Sequence, residues 1–263
     1  MISDAARVQS ALWGGDPEGW ARFAETHNRP LFEAVLDATG VQEDTQLLDV
    51  GCGTGLTLTL AAERRAKVSG VDITEALLDI ARERLPDADL RVGDMQSLPF
   101  DDAAFDVVLG VNSFQFAGDP VRALAEAARV CRPGGAVAAS LFAAPERSES
   151  TAVHHALSAL SPPEQEAEHA PYALSEPGNL EAAMEAAGLT IEADGEVPLA
   201  WAYASMDDAV RGLMSSAGAA RAIRSAGADR VRAVLIDAMA PFQRPTGAVA
   251  MNNTFRWVAG RRV

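Results

Sequence analysis

Cysteine and positive charge are both scarce in this sequence. Its 263 residues include only two cysteines, Cys52 and Cys131, and 22 Lys and Arg against 37 Asp and Glu, which gives a formal net charge of −15. Two cysteines make a thin disulfide inventory and are typical of a reducing compartment, so we expect a cytoplasmic protein. The negative charge disfavours contact with nucleic-acid phosphates, so no nucleic-acid partner is expected.

Long apolar runs and several catalytic motifs are also missing. No window reaches the ~18 uncharged apolar residues that a membrane-spanning helix needs, and Asp4 and Arg7 are not followed by the apolar core of a signal peptide. Four scattered histidines and two cysteines do not have metal-ligand spacing. No Gly-x-Ser-x-Gly elbow or Gly-Lys-Ser/Thr phosphate loop occurs. We therefore expect neither a membrane partner nor a metal.

What is present is an alternation of short apolar runs with longer stripes of helical period between residues 31 and 142. This alternation is typical of a mostly parallel sheet covered by helices. Helices are predicted at Thr74–Leu85 and Asp119–Cys131, where Thr74 and Asp119 are plausible caps. The predicted strands are Gln46–Val50, Val68–Asp72, Leu90–Val92, Phe105–Val111 and Ala136–Phe142.

Three alternate glycines, Gly51, Gly53 and Gly55, follow the first predicted strand. Glycines let the backbone turn sharply and let a ligand approach closely, and the helix that follows offers unpaired amides. Leu56 stands where the dinucleotide pattern G-x-G-x-x-G would have a further glycine. Asp49 precedes the loop, and its carboxylate would repel a pyrophosphate but attract an ammonium or sulfonium group. The loop therefore favours a cationic nucleotide ligand.

Acidic and amide side chains end the next strands. Asp72, 17 residues after the last glycine, is placed to accept hydrogen bonds from both ribose hydroxyls of an adenosine, with Ile73 against the adenine; the alternative is a cap or turn aspartate. Asp94 is placed to accept the adenine amino group, with the Met95 amide nearby, or is a solvated turn residue. Asn112 and Gln115, after the fourth strand, are placed to meet the amino-acid part of the ligand or the substrate.

Together these motifs resemble the ordered motif set of class I S-adenosylmethionine-dependent methyltransferases, in the branch that contains small-molecule and quinone-biosynthesis enzymes. The resemblance covers residues 31–142 and rests on Leu48–Gly55, Asp72, Gly93–Met95, Leu98–Phe100, Phe105–Val108 and Arg132–Gly135. It implies an α/β, Rossmann-like, seven-stranded and mostly parallel sheet with helices on both faces, and the apolar helices after Met206 are expected to form a helical cap after the fifth strand. It also implies S-adenosylmethionine as cofactor, S-adenosylhomocysteine as product, and contacts to the cofactor from Gly51, Gly53, Gly55, Asp72, Asp94, Met95 and Asn112. Together with Asp49, Cys52, Ile73 and Gln115, these residues form the expected cofactor site.

We expect the chain to be divided into four parts. These are an N-terminal helical lid (1–30), the cofactor-binding core (31–142), a substrate-facing cap with a sixth strand and helices (143–251), and a final strand (252–263). Within the last two parts the pattern predicts helices at Ser175–Ala187, Met206–Ala217 and Arg230–Met239 and a strand at Asn253–Val258. Trp20, Phe23 and His27 suit a lid over the cofactor, or else belong to an amphipathic helix that packs on the sheet.

The predicted reaction is methyl transfer by in-line displacement to a small-molecule acceptor, in a monomer or homodimer. Positioning of the acceptor supplies most of the rate, and a base is needed only if the acceptor loses a proton. The candidates for a base are His154, His155, His169, Tyr172 and Tyr203, and only one of the adjacent histidines is expected to face inward. Two alternatives stay open: a nicotinamide-dependent oxidoreductase, and a protein that binds S-adenosylmethionine without transferring its methyl group.

Overall fold

The computed structural model describes residues 2–161 and 173–263, and its centre is a mixed β-sheet. The strands in these ranges are β1 (Gln46–Val50), β2 (Lys67–Asp72), β3 (Asp89–Val92), β4 (Phe105–Val111), β5 (Cys131–Phe142), β6 (Leu189–Tyr203) and β7 (Val249–Arg262). Within the described residues these seven strands pair in the order β3-β2-β1-β4-β5-β7-β6. β7 runs antiparallel to β5 and β6, and the other pairs are parallel. The predicted fold class is confirmed.

Helices connect most of the strands. The α-helices of eight or more residues in the described ranges are α1 (Asp4–Trp13), α2 (Arg29–Ala38), α3 (Leu56–Glu63), α4 (Glu75–Arg84), α5 (Pro120–Val130), α6 (Thr151–Ser158), α7 (Asn179–Ala186), α8 (Met206–Met214), α9 (Ala217–Ala226) and α10 (Ala228–Met239). α5 begins where the sequence predicts, because the Asp119 carboxylate accepts the Arg122 N–H at 3.0 Å. The helix predicted from Ser175 is interrupted: a 3₁₀ turn at Ala173–Ser175 precedes α7.

Apolar helix faces cover both sides of the sheet. On one side, Leu124 of α5 and Met184 of α7 are fully buried in a cluster that includes sheet residues. On the other side, Val35 of α2 and Leu58 of α3 are buried in a second cluster. Each helix buries the stripe of apolar residues that its 3.6-residue period places on one face. The prediction of helices on both faces is therefore confirmed.

The cap has its own apolar core. Leu157 of α6, Val210 of α8, Leu235 of α10 and Met251 of β7 are buried together. In chain order, α6 lies between β5 and β6, whereas α8, α9 and α10 lie between β6 and β7. The final strand begins at Val249, three residues before the predicted boundary, and contains the predicted strand Asn253–Val258.

The topology places a crevice beside the glycine loop. β1 lies between β2 and β4, so the chain builds the sheet outward in both directions from this point. The carboxyl ends of parallel strands meet at one edge, and ligands of open α/β sheets bind there, where the strand order reverses. The last residues of β1 and β2 and the segments that follow β1, β2, β3 and β4 contain the predicted cofactor-binding residues of the core.

Candidate functional site

A cavity of about 520 Å³ lies at this edge of the sheet. This volume is within the range typical of small-molecule sites. The described residues that line it come from α1, from the segment before α2, from the ends of β1 to β4, and from the cap. Of the predicted cofactor-binding residues, those lining it are Trp20, Asp49, Gly51, Cys52, Gly53, Asp72, Ile73, Asp94, Met95, Asn112 and Gln115.

The glycine loop shapes one wall of the cavity. Gly51 and Gly53 have φ values of +77° and +54°, which residues with a Cβ rarely adopt. A Cβ on Gly51 would lie 2.5 Å from the Cβ of Ser113, whereas a Cβ on Gly53 would meet no described atom within 4 Å. The space beside Gly53 therefore belongs to the cavity. This backbone leaves room for a ligand to approach closely.

Gly55 does not line the cavity, contrary to its predicted contact with the cofactor. With φ +83° it turns the chain into α3, and a Cβ there would lie 3.1 Å from the Cβ of Ala81. The glycine is needed because the backbone is left-handed and the neighbouring helix α4 is close. Its role is to start α3 with the amides of its first turn at the loop.

Asp72 joins the glycine loop to the end of β2. One carboxylate oxygen accepts the Gly53 N–H at 2.9 Å, and the other accepts the Thr74 N–H at 2.8 Å. Burial raises the pKa of Asp72, and the hydrogen bonds from Thr74 and Gly53 oppose this rise. Each carboxylate oxygen keeps a second lone pair, which a ligand hydroxyl can use.

Asp49 is buried at the mouth of the loop, with only 2% of its surface exposed. Its Oδ1 has no hydrogen-bond partner among the described residues. Burial and the nearby Asp72 carboxylate raise the pKa of Asp49 to about 7, although the Thr57 hydroxyl partly opposes them. A positive ligand group beside Asp49 would reverse this effect, so the site has the electrostatics of a cation-binding pocket.

Two side-chain amide oxygens in the segment after β4 also lack hydrogen-bond partners among the described residues, as the Asp49 Oδ1 does. The Asn112 Oδ1 and the Gln115 Oε1 are buried and accept no hydrogen bond from the described residues. Asn112 has φ +54°, an uncommon value for a residue other than glycine. Backbone strain of this kind clusters at functional sites. Asp49, Asn112 and Gln115 thus bring three unpaired acceptor oxygens to the residues that line one cavity, and such acceptors are suited to an ammonium group, which is a donor only.

Asp94 lies at another end of the cavity and is 5% exposed. Its Oδ2 accepts the Ser3 N–H at 2.8 Å, and its Oδ1 accepts the Gln96 N–H at 2.9 Å. Burial by itself would raise the pKa of Asp94, but these hydrogen bonds lower it overall. Asp94 is therefore a carboxylate at neutral pH and also an anchor for the N-terminal segment.

The segment before α2 covers the cavity with Trp20 but not with Phe23. The Trp20 ring meets the Trp13 ring edge-on at 4.9 Å. Phe23 instead packs against α8, where a Cβ on Gly212 would lie 3.2 Å from its Cβ and the Arg211 guanidinium lies 5.9 Å from its ring centre. Trp20–Ala24 is a π-helical turn, in which residues three apart do not share a face as they do in an α-helix. Phe23 therefore does not line the cavity in which its cofactor contact is predicted.

His27 also points away from the cavity. Its Nε2 lies 2.8 Å from the Ala202 carbonyl oxygen, and its ring is 4.5 Å from that of Tyr203. Tyr203 is 5% exposed and belongs to the core of the cap, and burial raises its pKa. Tyr203 does not line the cavity, so it is not placed to act as a base there.

A buried acid that the sequence analysis missed links this segment to the glycine loop. Glu25 accepts hydrogen bonds from the Thr54 hydroxyl and, at 3.3 Å, from the Leu56 N–H at the start of α3. Its other oxygen accepts from Arg84 at 2.8 Å, and the Glu25 side chain is only 5% exposed. No local motif indicates these contacts, since Glu25 and Arg84 are 59 residues apart.

The cap side of the cavity is aromatic. The rings of Phe142, Trp201 and Phe255 lie 4.3 to 6.5 Å apart, and the His154 ring is 5.2 Å from Phe142. All four residues line the cavity, as do His155 and Arg221. This part of the cavity is therefore suited to a mainly apolar molecule with a few polar groups.

Both adjacent histidines line the cavity, although only one was expected to face inward. His154 is half-buried and His155 is exposed. Burial, followed by the neighbouring His155, lowers the pKa of His154 to about 4, so its imidazole is neutral at physiological pH. The remaining candidates, His169 and Tyr172, lie outside the described residues.

The described ranges 2–161 and 173–263 contain no cluster of three or more His, Cys, Asp and Glu side chains that could hold a metal ion. In the same ranges no helix is both long and apolar enough to cross a lipid bilayer.

Comparison with known proteins agrees with this geometry. Residues 48–139 match a family model described as a methyltransferase domain. A malonyl-[acyl-carrier protein] O-methyltransferase from Serratia marcescens is 37% identical over 116 residues, which are 44% of this chain and 46% of that protein. A demethylmenaquinone methyltransferase from Renibacterium salmoninarum is 35% identical over 111 residues, or 42% and 47% of the two chains. The chain thus spans about half the length of these curated relatives.

A solved structure extends the likeness to the whole fold. Geranyl diphosphate C-methyltransferase from Streptomyces coelicolor A3(2), in complex with Mg²⁺, geranyl diphosphate and S-adenosylhomocysteine, superposes with a TM-score of 0.58. The match covers 100% of this chain and 99% of that one at 16% identity, so it supports the fold alone. The sheet order, the glycine loop and the family match agree, and residues 48–139 are similar to the methyltransferase domains of class I S-adenosylmethionine-dependent enzymes.

Proposed function

We propose that this protein binds S-adenosylmethionine in the cavity and transfers its methyl group to a small-molecule acceptor. The observation that carries the proposal is the set of three buried acceptor oxygens without described partners, on Asp49, Asn112 and Gln115. Leaving such atoms unpaired is costly, so a ligand rich in positive charge and donors fits the cavity that these residues line. The ammonium and sulfonium groups of S-adenosylmethionine have this character.

The electrostatics disfavour a dinucleotide as the ligand. A diphosphate on the loop amides would lie close to Asp49, which is already destabilised as an anion by burial and by Asp72. A second negative group would add to this repulsion, whereas a cation would relieve it. This repulsion disfavours the nicotinamide-dependent alternative, which shares only the ligand-binding edge of the sheet and the acid at the end of β2.

The assignment of cofactor groups follows the order of the strands. Asp72 accepts the ribose hydroxyls, with Ile73 against the adenine. Asp94 accepts the adenine amino group, and the Met95 amide lies nearby. The methionine part lies toward Asp49, Asn112 and Gln115, and the loop residues Gly51, Cys52 and Gly53 form the floor. Trp20 covers the site.

S-adenosylmethionine supplies an already activated methyl group, so the chain has to bind, orient and exclude water. The aromatic part of the cavity holds the acceptor, and the ring cluster of Phe142, Trp201 and Phe255 keeps water away from it. For an acceptor that loses a proton, the neutral imidazole of His154 is the side chain placed to receive it.

The test of cofactor binding is a thermal-shift experiment with S-adenosylmethionine, S-adenosylhomocysteine and NAD. A ligand at a hundredfold excess over its Kd stabilises the folded state by about 2.7 kcal/mol. For a chain of this size each kcal/mol raises Tm by about 2–4 °C, so the expected shift is roughly 5–10 °C. NAD should give no shift, and Asp72→Ala should lose most of the response to S-adenosylhomocysteine. The exposed Asp87→Ala variant is the matched control.

The catalytic part of the proposal is tested separately. Incubation with methyl-labelled donor and a panel of phenols, amines and carbon acids should give a labelled small-molecule product. Binding of S-adenosylhomocysteine without label transfer to any acceptor class would favour the non-catalytic alternative. Equal shifts with NAD and S-adenosylhomocysteine would refute the assignment of the cavity.

A further inference from the structure

Helix α1 carries a buried amide that the assignments above do not use. Gln9 is 4% exposed and lines the cavity. Neither its Nε2 nor its Oε1 has a hydrogen-bond partner among the described residues. A buried amide whose donor and acceptor both lack hydrogen-bond partners destabilises the folded chain. A bound ligand would supply the missing hydrogen bonds.

The position of α1 identifies which part of the cavity Gln9 faces. Ser3, Ala6, Gln9 and Trp13 line the cavity at spacings of three, three and four residues, which places them on one face of the helix. At the N-terminal end, Ser3 donates its N–H to Asp94. At the other end, a Cβ on Gly14 would lie 3.6 Å from the Thr74 Cγ2.

The helix thus runs from the Asp94 side of the cavity to the residues that follow Asp72. In the proposed function these two acids hold the adenine and the ribose of the cofactor. Gln9 lies between the ends of α1, over the adenosine part of the site. A second contact holds the helix there from the cap side, since Arg224 donates to the Ala11 carbonyl oxygen at 2.7 Å.

We propose that Gln9 binds the N6/N7 edge of the cofactor's adenine, with its Oε1 accepting from the amino group and its Nε2 donating to N7. This inference rests on the proposed function. A primary amide presents one donor face and one acceptor face, and adenine presents the complementary pair on this edge. The opposite edge, which carries N1, is left to Asp94 and Met95. In a purine with an acceptor in place of the amino group, that acceptor would face the Gln9 Oε1, and two acceptor atoms repel each other.

The test compares S-adenosylhomocysteine with its 7-deaza analogue, in which N7 is replaced by C–H and the amino group is kept. Isothermal titration measures both Kd values for the wild type, for Gln9→Leu, and for Val8→Ala as control. Val8 is exposed on the same helix and does not line this cavity. The wild type and Val8→Ala should bind the analogue about tenfold more weakly than S-adenosylhomocysteine, since a buried donor is then left unpaired.

Gln9→Leu should bind S-adenosylhomocysteine about tenfold more weakly than the wild type and should bind both ligands with equal affinity. Its Tm without ligand should be equal to or higher than that of the wild type, because leucine removes two unpaired polar atoms. This readout separates loss of a ligand contact from misfolding.

Equal binding of the two ligands by the wild type would overturn the proposal, as would a preference for S-adenosylhomocysteine that persists in Gln9→Leu. If instead the wild type does not bind S-adenosylhomocysteine at all, the proposed function itself fails and this inference fails with it. The two failures are therefore distinguishable.

Discussion

The pKa of Asp49 predicts that cofactor affinity depends on pH. In the ligand-free protein, burial and the neighbouring Asp72 raise this pKa to about 7, so half of the Asp49 carboxyl groups are protonated near neutrality. A cationic ligand favours the charged carboxylate and lowers its pKa. Binding below pH 7 therefore has to release a proton, and the affinity should fall as the pH falls.

The size of the effect follows from the fraction of protein with charged Asp49. If the bound carboxylate stays charged, affinity falls by a factor of 1 + 10^(7 − pH), which is roughly tenfold at pH 6 and about a hundredfold at pH 5. Isothermal titration with S-adenosylhomocysteine between pH 5 and pH 8.5 measures this dependence. Titrations at pH 6 in two buffers of different ionisation enthalpy should show about 0.9 proton released on binding.

The same pKa has the opposite effect on the ligand-free protein. Because the folded-state pKa of Asp49 is above its ordinary value, the folded state binds more protons than the unfolded state between about pH 4 and pH 7. The free energy of unfolding should therefore decrease as the pH rises through this range. A pKa of about 7 against 3.8 corresponds to roughly 4 kcal/mol at the most, so Asp49→Asn should be more stable than the wild type at pH 8.

Two variants test whether Asp49 is the group whose titration controls the affinity. Asp49→Asn should bind S-adenosylhomocysteine more weakly at pH 8 and should lose most of the pH dependence, whereas the exposed Asp87→Asn should behave as the wild type does. An affinity that is flat from pH 5 to pH 8.5 in the wild type would show that Asp49 does not face a cationic group. An unchanged pH profile in Asp49→Asn would assign the titration to another group.

Three further variants test the surroundings of the cavity. Glu25→Ala leaves the Arg84 guanidinium without its carboxylate and should lower the free energy of unfolding by about 2–3 kcal/mol in urea titrations; a loss below about 0.5 kcal/mol would mean that the buried pair does not hold the segment. Trp20→Leu should weaken S-adenosylhomocysteine binding about tenfold while Phe23→Leu leaves Kd within about twofold; a tenfold loss in both variants would support the predicted lid of Trp20 and Phe23, and an unchanged Kd in Trp20→Leu would remove Trp20 from the site. Tyr203→Phe should keep the rate of methyl transfer within about twofold of the wild-type rate. A variant that folds but is inactive would show that the Tyr203 phenol takes part in the reaction.

Features that depend on neighbouring residues were predicted well from the sequence. The glycine loop, the strands before it and after it, and the start of α5 follow from backbone preferences that act over a few residues. The positive φ of Gly51 and Gly53 and the cap at Asp119 are examples. Because parallel strands end at one edge, the strand order then brings Asp49, Asp72 and their neighbours together.

Features that depend on distant contacts could not be predicted in the same way. Phe23 and Trp20 are three residues apart in an apparently helical stretch, yet a π-helical turn separates their faces and packing against α8 decides where Phe23 goes. The interaction of Glu25 with Arg84 joins residues 59 positions apart. Sequence patterns contain no signal for such pairs, because the pairing arises only when the N-terminal segment folds over the loop.

The sequence by itself therefore determined the kind of fold and the chemistry of the cavity floor, since both are set by local backbone preferences and by the order of the strands. Only the tertiary structure decided what covers that floor: Trp20 instead of Phe23, the buried Glu25, and the unpaired amide of Gln9 on α1. The reason is physical, because a covering segment is positioned by contacts between surfaces that are remote in the chain and that exist only after folding.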